Sequence, residues 1–455
     1  MRYIDKVDRT KYNHPVKMEK QRGRNMLSDN IGRSGSRLTF AGHDVTHLAE
    51  QYGTPLYLMD EERIRRNCRM YLQAFRSSFG GNSLPLYASK AASFKQIYRI
   101  MAQEGMGVDT VSSGEIYTAL SAGFPPERIF FHGNSKTDAD IRYGVASGIG
   151  CFVVDNTEEL LALNREAGCQ GKKQKVLLRI TPGIDPHTYD AVNTGMVDSK
   201  FGVPVETGQA IEFVALALTT ENLQICGLHC HVGSQVFDED VFERTVDLMV
   251  RFMAQVRDEL GFTLEELNLG GGYGTRYQDS EPQVDIPARI AEVAKRLREQ
   301  CKKYAFPLPR ILMEPGRSIV ADAGMTLYTV SSVKRIPSYK SYVAVDGGMT
   351  DNPRYALYGS RYTVYHAEKS GGKEAVFYLV GRCCESGDII QPRVSLPEDT
   401  YRGEHIAVCT TGAYNYSMSS NYNRLPRPPI VMLREDGAYL AVKRESLEDL
   451  CALDI

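Results

Sequence analysis

Between residues 84 and 314 short apolar runs recur at 84–88, 107–111, 129–132, 151–155, 176–181, 225–232, 267–270 and 311–314. Bounded by turn residues, they read as buried strands. The stretches between them carry apolar residues at helical spacing, at 94–103, 114–122, 138–146, 158–167, 208–217, 241–260 and 287–304. Eight strands alternating with helices predict an α/β protein built on a (β/α)8 barrel. An open doubly wound sheet would want a glycine fingerprint behind its first strand, and none stands there. Past residue 323 short β-branched runs at 326–333, 341–346, 375–380, 405–410 and 430–432 predict a separate, mostly antiparallel β domain. Ahead of the barrel, 38–40 and 55–59 read as a strand pair flanking a helical 45–52. Residues 1–38 show no hydrophobic period. The expected organisation is a polar basic tail (1–38), a segment joining the β domain or the barrel entry (39–60), the barrel (61–320) and the β domain (321–455).

Composition narrows the class without changing that picture. The 455 residues are 42% hydrophobic and 24% charged, as in an ordinary soluble globular protein. A net charge of −2 gives no reason to expect nucleic acid or an anionic membrane as partner. No apolar run reaches the ~18 residues of a membrane helix, and no secretory core opens the chain. The tail holds ten Lys or Arg against four Asp or Glu, and those acids argue against a transit peptide. Ten cysteines without a disulfide-like spacing point to a reduced, cytoplasmic protein.

Active groups of such barrels gather at the C-terminal ends of the strands. The first predicted strand ends in Lys90, the sixth in His229-Cys230-His231 with Ser234 behind it, the seventh in Gly270-Gly271-Gly272-Tyr273, and the eighth in Glu314-Pro315-Gly316-Arg317. All four share one rim. A lysine there either snorkels to water or, desolvated, attacks a carbonyl carbon. The glycine run is either a plain turn or a place where backbone N–H groups, with Ser234, approach a phosphate. Glu314 either pairs with Arg317 or holds a proton on a heteroaromatic nitrogen while Arg317 receives a carboxylate or phosphate. Cys226, His229, Cys230 and His231 invite a zinc reading. Strand alternation sets His229 and His231 on one face and Cys226, Leu228 and Cys230 on the other, so they cannot close a tetrahedron. No metal is expected, and an inward His231 facing a cofactor ring fits better. In the β domain Cys384, beside Glu385 and Asp388, is a proton-donor candidate or an inert buried thiol. Tyr414 belongs to a tyrosine-rich loop, 411–423, that either decorates the surface or closes over a polar ligand. Arg354 and Tyr358 are solvated turn residues by default.

Together these segments resemble the fold type III, alanine-racemase-type, pyridoxal-phosphate-dependent decarboxylases, from about residue 45 to the C-terminus. The specific pieces are Tyr-Ala-Ser-Lys at 87–90, Asp-Ser-Lys-Phe-Gly at 198–202, His-Val-Gly-Ser-Gln at 231–235, Leu-Gly-Gly-Gly-Tyr-Gly at 269–274, Glu-Pro-Gly-Arg at 314–317, Val-Asp-Gly-Gly-Met-Thr-Asp-Asn-Pro-Arg at 345–354, Cys-Glu-Ser-Gly-Asp at 384–388 and Ser-Met-Ser-Ser-Asn-Tyr-Asn at 417–423. The resemblance implies that Lys90 forms a Schiff base with pyridoxal 5′-phosphate, that His231 lies against the ring and that Glu314 pairs with the pyridine nitrogen. It implies that Ser234 and Gly272, with neighbouring backbone at Gly271, Tyr273 and Gly316, hold the phosphate, with Arg317 and Tyr414 close to the cofactor. Arg317, Arg354, Tyr358, Glu385 and Tyr414 would recognise the far end of a substrate. Cys384 would come from the partner subunit of a homodimer and protonate the carbanion left by carbon dioxide. The pattern is most similar to the branch that converts meso-2,6-diaminopimelate to L-lysine. Sister decarboxylases of ornithine, arginine or carboxynorspermidine, an amino-acid racemase and an inactive regulatory homologue are the alternatives. Two arginines, Arg317 and Arg354, favour a substrate with two carboxylates. Arg382 and Cys383, where the family more often has Gly-Pro before one variable residue, and Ala92, where it commonly has asparagine, depart from its pattern.

Overall fold

A computed structural model of the chain describes residues 26–184 and 197–455. Eight parallel strands, β1 (Leu84–Ala88), β2 (Gly107–Thr110), β3 (Ile129–Phe131), β4 (Cys151–Val154), β5 (Gln174–Thr181), β6 (Leu223–His229), β7 (Glu266–Asn268) and β8 (Arg310–Met313), pair in that order. Leu312 of β8 pairs back to Leu84 of β1, so the sheet closes into the expected barrel. Inside it, Leu86, Phe130, Cys151, Val153, Leu177, Cys226 and Leu312 form one buried apolar cluster. The outward residues of the same strands, such as Val108, Val176, Leu178 and Leu228, pack with the helices in a second, larger core.

Side-chain caps start the helices close behind the strands. Ser112 accepts from the Glu115 amide ahead of the helix Ser113–Ser121, and Asn156 from the Glu159 amide ahead of Thr157–Cys169. A 19-residue helix, Glu61–Phe79, lies outside the helix list read from the sequence. Asp60 caps it, and Ile64, Cys68, Tyr71 and Phe75 bury one helical stripe. It packs on Ile286–Lys303 and on the four-residue helix Arg317–Val320, and so takes the place beside β8 that a long eighth helix would fill.

The second domain is a sheet ordered Ile389–Pro397, Glu374–Val380, Ser341–Val345, Gly324–Arg335, Leu56–Asp60, Ile430–Arg434, Gly437–Val442. Leu56–Asp60, which precedes the barrel in sequence, runs antiparallel to Gly324–Arg335 and parallel to Ile430–Arg434. It does not pair with Arg37–Phe40, as the strand-pair expectation had it. Arg37–Phe40 instead joins Ile31–Ser34 and His43–Asp44 in a small sheet of its own. The tail expectation therefore fails over 26–38. Leu27, Ile31 and Leu38 are buried against Leu56, Leu58, Met325 and Val431. Leu27 lies ahead of two four-residue strands, joined at Gly35, that carry Ile31 and Leu38, and such strands are too short for a period to show. The remainder of the tail, 1–25, lies outside the described residues.

Candidate active site

Two residues beyond the apolar cluster each strand presents the same inward face again. Leu86 is followed by Ala88, Phe130 by His132, Val153 by Asp155, Leu177 by Arg179 and Leu312 by Glu314. An apolar floor thus carries a buried polar layer at the C-terminal mouth of the barrel. Strand β6 departs from this count. Its register against β5 shifts between Ile225 and Gly227, so Cys226 is an extra bulged residue that turns into the interior cluster. That corrects the expected partition of faces. Cys226 lies on the barrel interior, as His229 does, while Leu228 and Cys230 belong to the outer core.

A small cavity, partly open to solvent, is lined by Lys90, His231, Ser234, Gly272, Tyr273, Glu314, Gly316, Arg317 and Tyr414, together with Ala88, Asp109 and Ser318. Lys90 is exposed at its mouth. Its neighbour Ser89 is buried and donates to the Asp109 carbonyl and to Glu115 Oε2, both at 2.7 Å, which fixes the turn that presents the lysine. His231 accepts from the Gly271 amide at Nδ1, 3.2 Å away. Burial, with Lys90 and Arg179 nearby, holds that imidazole well below its ordinary pKa, so it is a neutral ring. The Gly271 N–H is therefore spent on His231 rather than free for an anion. Gly272 sits at φ +123, and a Cβ there would meet the Gly233 carbonyl at 2.2 Å.

Glu314 and Arg317 do not turn to each other. Arg317 donates to Tyr277 Oη at 2.8 Å and to Ser234 Oγ at 2.9 Å, and its Nε is buried without a hydrogen-bond partner. Glu314 Oε1 accepts from Asn268 Nδ2 at 2.6 Å and stands 2.9 Å from His132 Nε2, while Oε2 lies 3.2 Å from His229 Nε2. Burial alone would raise this carboxyl, yet its contacts with His132 and His229 outweigh it and hold Glu314 well below the usual carboxylate range. His229 is pulled down to about 4, mainly by burial. Asp109 is pushed up to about 7, again by burial. The ligand atoms of His132, His229 and Glu314 lie within 4.8 Å of one another, with His229 hydrogen-bonded to Glu314 and His132 Nε2 buried without a hydrogen-bond partner, and the cysteines are not part of the group.

The substrate-recognition candidates meet at Tyr414. The Arg317 guanidinium lies 4.7 Å and that of Arg354 5.3 Å from its ring, and Arg354 stands 5.2 Å from Tyr358. Arg354 is buried, not a solvated turn residue, and its Nε has no hydrogen-bond partner. The Tyr414 amide donates to the Ala91 carbonyl at 2.7 Å and Ser417 Oγ accepts from the Ser93 amide, so the tyrosine loop folds over the Lys90 turn. Cys384 and Glu385 are exposed and do not line the cavity of their own chain. Two departures from the family pattern are absorbed locally. Cys383 donates its amide to Asp388, and the Ala92 carbonyl accepts from Tyr87 Oη. In the segment 198–202, Phe201 lies 4.4 Å under Arg179 and the Gly202 amide reaches Asp155. The sequence reading missed Asp109, His132, Asn268 and Tyr277. The first three stand at or just past the ends of β2, β3 and β7, so inspecting every strand end would have found them.

Residues 61–321 match the family described as pyridoxal-dependent decarboxylase, pyridoxal binding domain, and the chain is a member of that class. Diaminopimelate decarboxylase of Bacillus subtilis (strain 168) is 43% identical over 419 residues, which cover 92% of this chain and 95% of that protein. The crystal structure of diaminopimelate decarboxylase from M. jannaschii with L-lysine has a TM-score of 0.88 at 34% identity, covering 95% of this chain and 99% of that one. The Helicobacter pylori enzyme, also with L-lysine, has a TM-score of 0.82 at 32% identity, covering 90% and 99%. Within the class, this chain belongs to the diaminopimelate decarboxylase family. Its cavity fits the cofactor such a family uses. An amine, a flat neutral imidazole, an ionised carboxylate and an arginine–serine pair beside a glycine bend open on one space. They match an aldehyde, an aromatic ring, a ring nitrogen and a phosphate.

Proposed function

We propose that this chain binds pyridoxal 5′-phosphate and decarboxylates meso-2,6-diaminopimelate to L-lysine and carbon dioxide. What carries the reading is the convergence of Lys90, His231, Gly272 and Glu314, from four separate strand ends, on a single cavity. When bound, the cofactor supplies an electron sink for the pair left behind by the departing carboxylate. Lys90 supplies the amine that holds its aldehyde carbon. Glu314 keeps a proton on the ring nitrogen, and His231 covers the ring. Ser234, the backbone at Gly272, Tyr273 and Gly316, and Arg317 hold the phosphate. Arg354, with Tyr358, Tyr414 and Arg317, grips the distal carboxylate of the substrate, and Glu385 its distal ammonium. Such a grip would fix the orientation of the substrate's reacting end at the site. The Cys384 thiol of a second copy in a homodimer gives a proton to the carbon that lost carbon dioxide. Ten free cysteines suit a reducing, cytoplasmic setting.

The test is carbon dioxide release from a panel of meso-2,6-diaminopimelate, ornithine, arginine and carboxynorspermidine, with optical rotation followed in parallel. Release from diaminopimelate alone is expected. Equal release from ornithine, or racemisation without release, overturns the assignment. Arg354→Ala removes a charge-assisted contact of about 1.5–3 kcal/mol, and diaminopimelate turnover (kcat/KM) should fall roughly 10–100-fold.

A further inference from the structure

Glu314 receives contacts from three different strand ends. His132 follows β3, His229 closes β6 and Asn268 closes β7. Two of these contacts fall on Oε1 and one on Oε2. A carboxylate offers about four lone-pair positions, two on each oxygen. Hydrogen bonds from Asn268 on Oε1 and from His229 on Oε2 take two of them, while His132 Nε2 stands 2.9 Å from Oε1 without a hydrogen-bond partner, so room is left for a further donor. The other ring nitrogen of His229, Nδ1, is buried without a hydrogen-bond partner. An unpaired N–H is costly to bury, so the proton belongs on Nε2, where it donates to Glu314.

We propose that His229 and Asn268, each hydrogen-bonded to one oxygen, are positioning residues that fix the Glu314 carboxylate and leave an acceptor position for the ring nitrogen of the cofactor. The inference rests on the assignment of Glu314 to that nitrogen. A carboxylate held by a donor on each oxygen can neither rotate nor take up the ring proton itself, so the proton stays on the nitrogen. Asp109 Oδ1, 3.6 Å from His132 Nε2, is the next acceptor outward in the same layer.

Holoenzyme reconstituted with ring-15N-labelled pyridoxal 5′-phosphate reports the protonation of that nitrogen directly through its 15N resonance. In Glu314→Gln the resonance should move to the deprotonated position. His229→Phe keeps an aromatic volume without the donor. It should move the resonance in the same direction and lower kcat by roughly 10–100-fold, the scale of outer partners that orient a reacting group, with KM little changed. His229→Gln, which restores an N–H donor, should recover most of both. A folded, cofactor-loaded His229→Phe enzyme with the wild-type resonance and kcat overturns the inference, and a lowered melting temperature alone does not rescue it. If His229→Phe does not fold, Asn268→Ala carries the same expectations and the same overturning result. An unchanged resonance in Glu314→Gln overturns both the inference and the assignment of Glu314.

Discussion

A charge inside a barrel persists only where donors compensate its lost hydration. Glu314 has them, and that separates it from an acid that burial would simply neutralise, as it pushes Asp109 upward. Lys90, His231 and Glu314 were legible because a polar residue closing an apolar run is conspicuous in one dimension. His132 and Asn268 were not, since their part depends on which strand ends become neighbours around the closed sheet. Tight backbone approach is similarly invisible until the strands are placed. A Cβ at Gly271 would stand 2.1 Å from the Glu314 carbonyl, whereas one at Gly114 on the helix Ser113–Ser121 would have nothing closer than 3.7 Å. Gly271→Ala must therefore push the mouths of β7 and β8 apart, and disturb His231 through its lost amide contact. Cofactor titration followed by absorbance should show weakened binding in Gly271→Ala and wild-type binding in Gly114→Ala. Equal affinities would show that the bend has room to spare.

At the scale of elements, period and length located most of the barrel strands and their helices, since a parallel strand covered on both sides is a nearly continuous apolar run. The bulge in β6 was not legible. One extra residue inverts the face of everything on its far side, and no composition signal marks it, although Gly227 is forced by the Glu266 carbonyl 1.9 Å from its would-be Cβ. The turns of the β domain were seen as motifs but not as a joined unit. Asp388 joins them. Its Oδ1 accepts from the Met349 amide and its Oδ2 from the Cys383 amide, both at 2.7 Å. Gly348 and Gly381 leave space for that carboxylate, since a Cβ on either would lie within 2.6 Å of it. One side chain thereby sets the distance between the segment leading to Arg354 and the loop that bears Cys384. Asp388→Ala removes two charge-assisted bonds of about 1.5–3 kcal/mol each. Because Asp388 does not line the barrel cavity, kcat/KM for diaminopimelate should drop while cofactor affinity stays at the wild-type value. A loss of cofactor binding in Asp388→Ala would mean that the two domains are not separable in this way.

For the whole molecule, alternation named the barrel, but it could not say that a strand before the barrel, Leu56–Asp60, sits in the middle of the sheet that follows it. Chain order and spatial order diverge there because parallel and antiparallel pairing leave the same local pattern. The same divergence governs Cys384. Its amide is held at 2.7 Å by Asn423 Oδ1, so the loop is ordered by its own chain, yet the thiol is exposed and absent from the cavity that holds Lys90. As the proton donor of the proposed reaction, an exposed thiol outside the cavity of its own chain would serve a site on another copy. In a two-fold dimer the two chains would then exchange loops symmetrically. Lys90→Ala and Cys384→Ala should each be inactive alone. Mixed and allowed to exchange subunits, they form hybrids in which the Cys384→Ala chain keeps its lysine and receives a thiol from the Lys90→Ala chain. Random pairing restores about a quarter of the sites, since half the dimers are hybrids and each has one intact site. Carbon dioxide release rising toward that fraction is the expected result. No recovery, with hybrid formation verified by differently tagged chains, would place the donor within the same chain as the lysine.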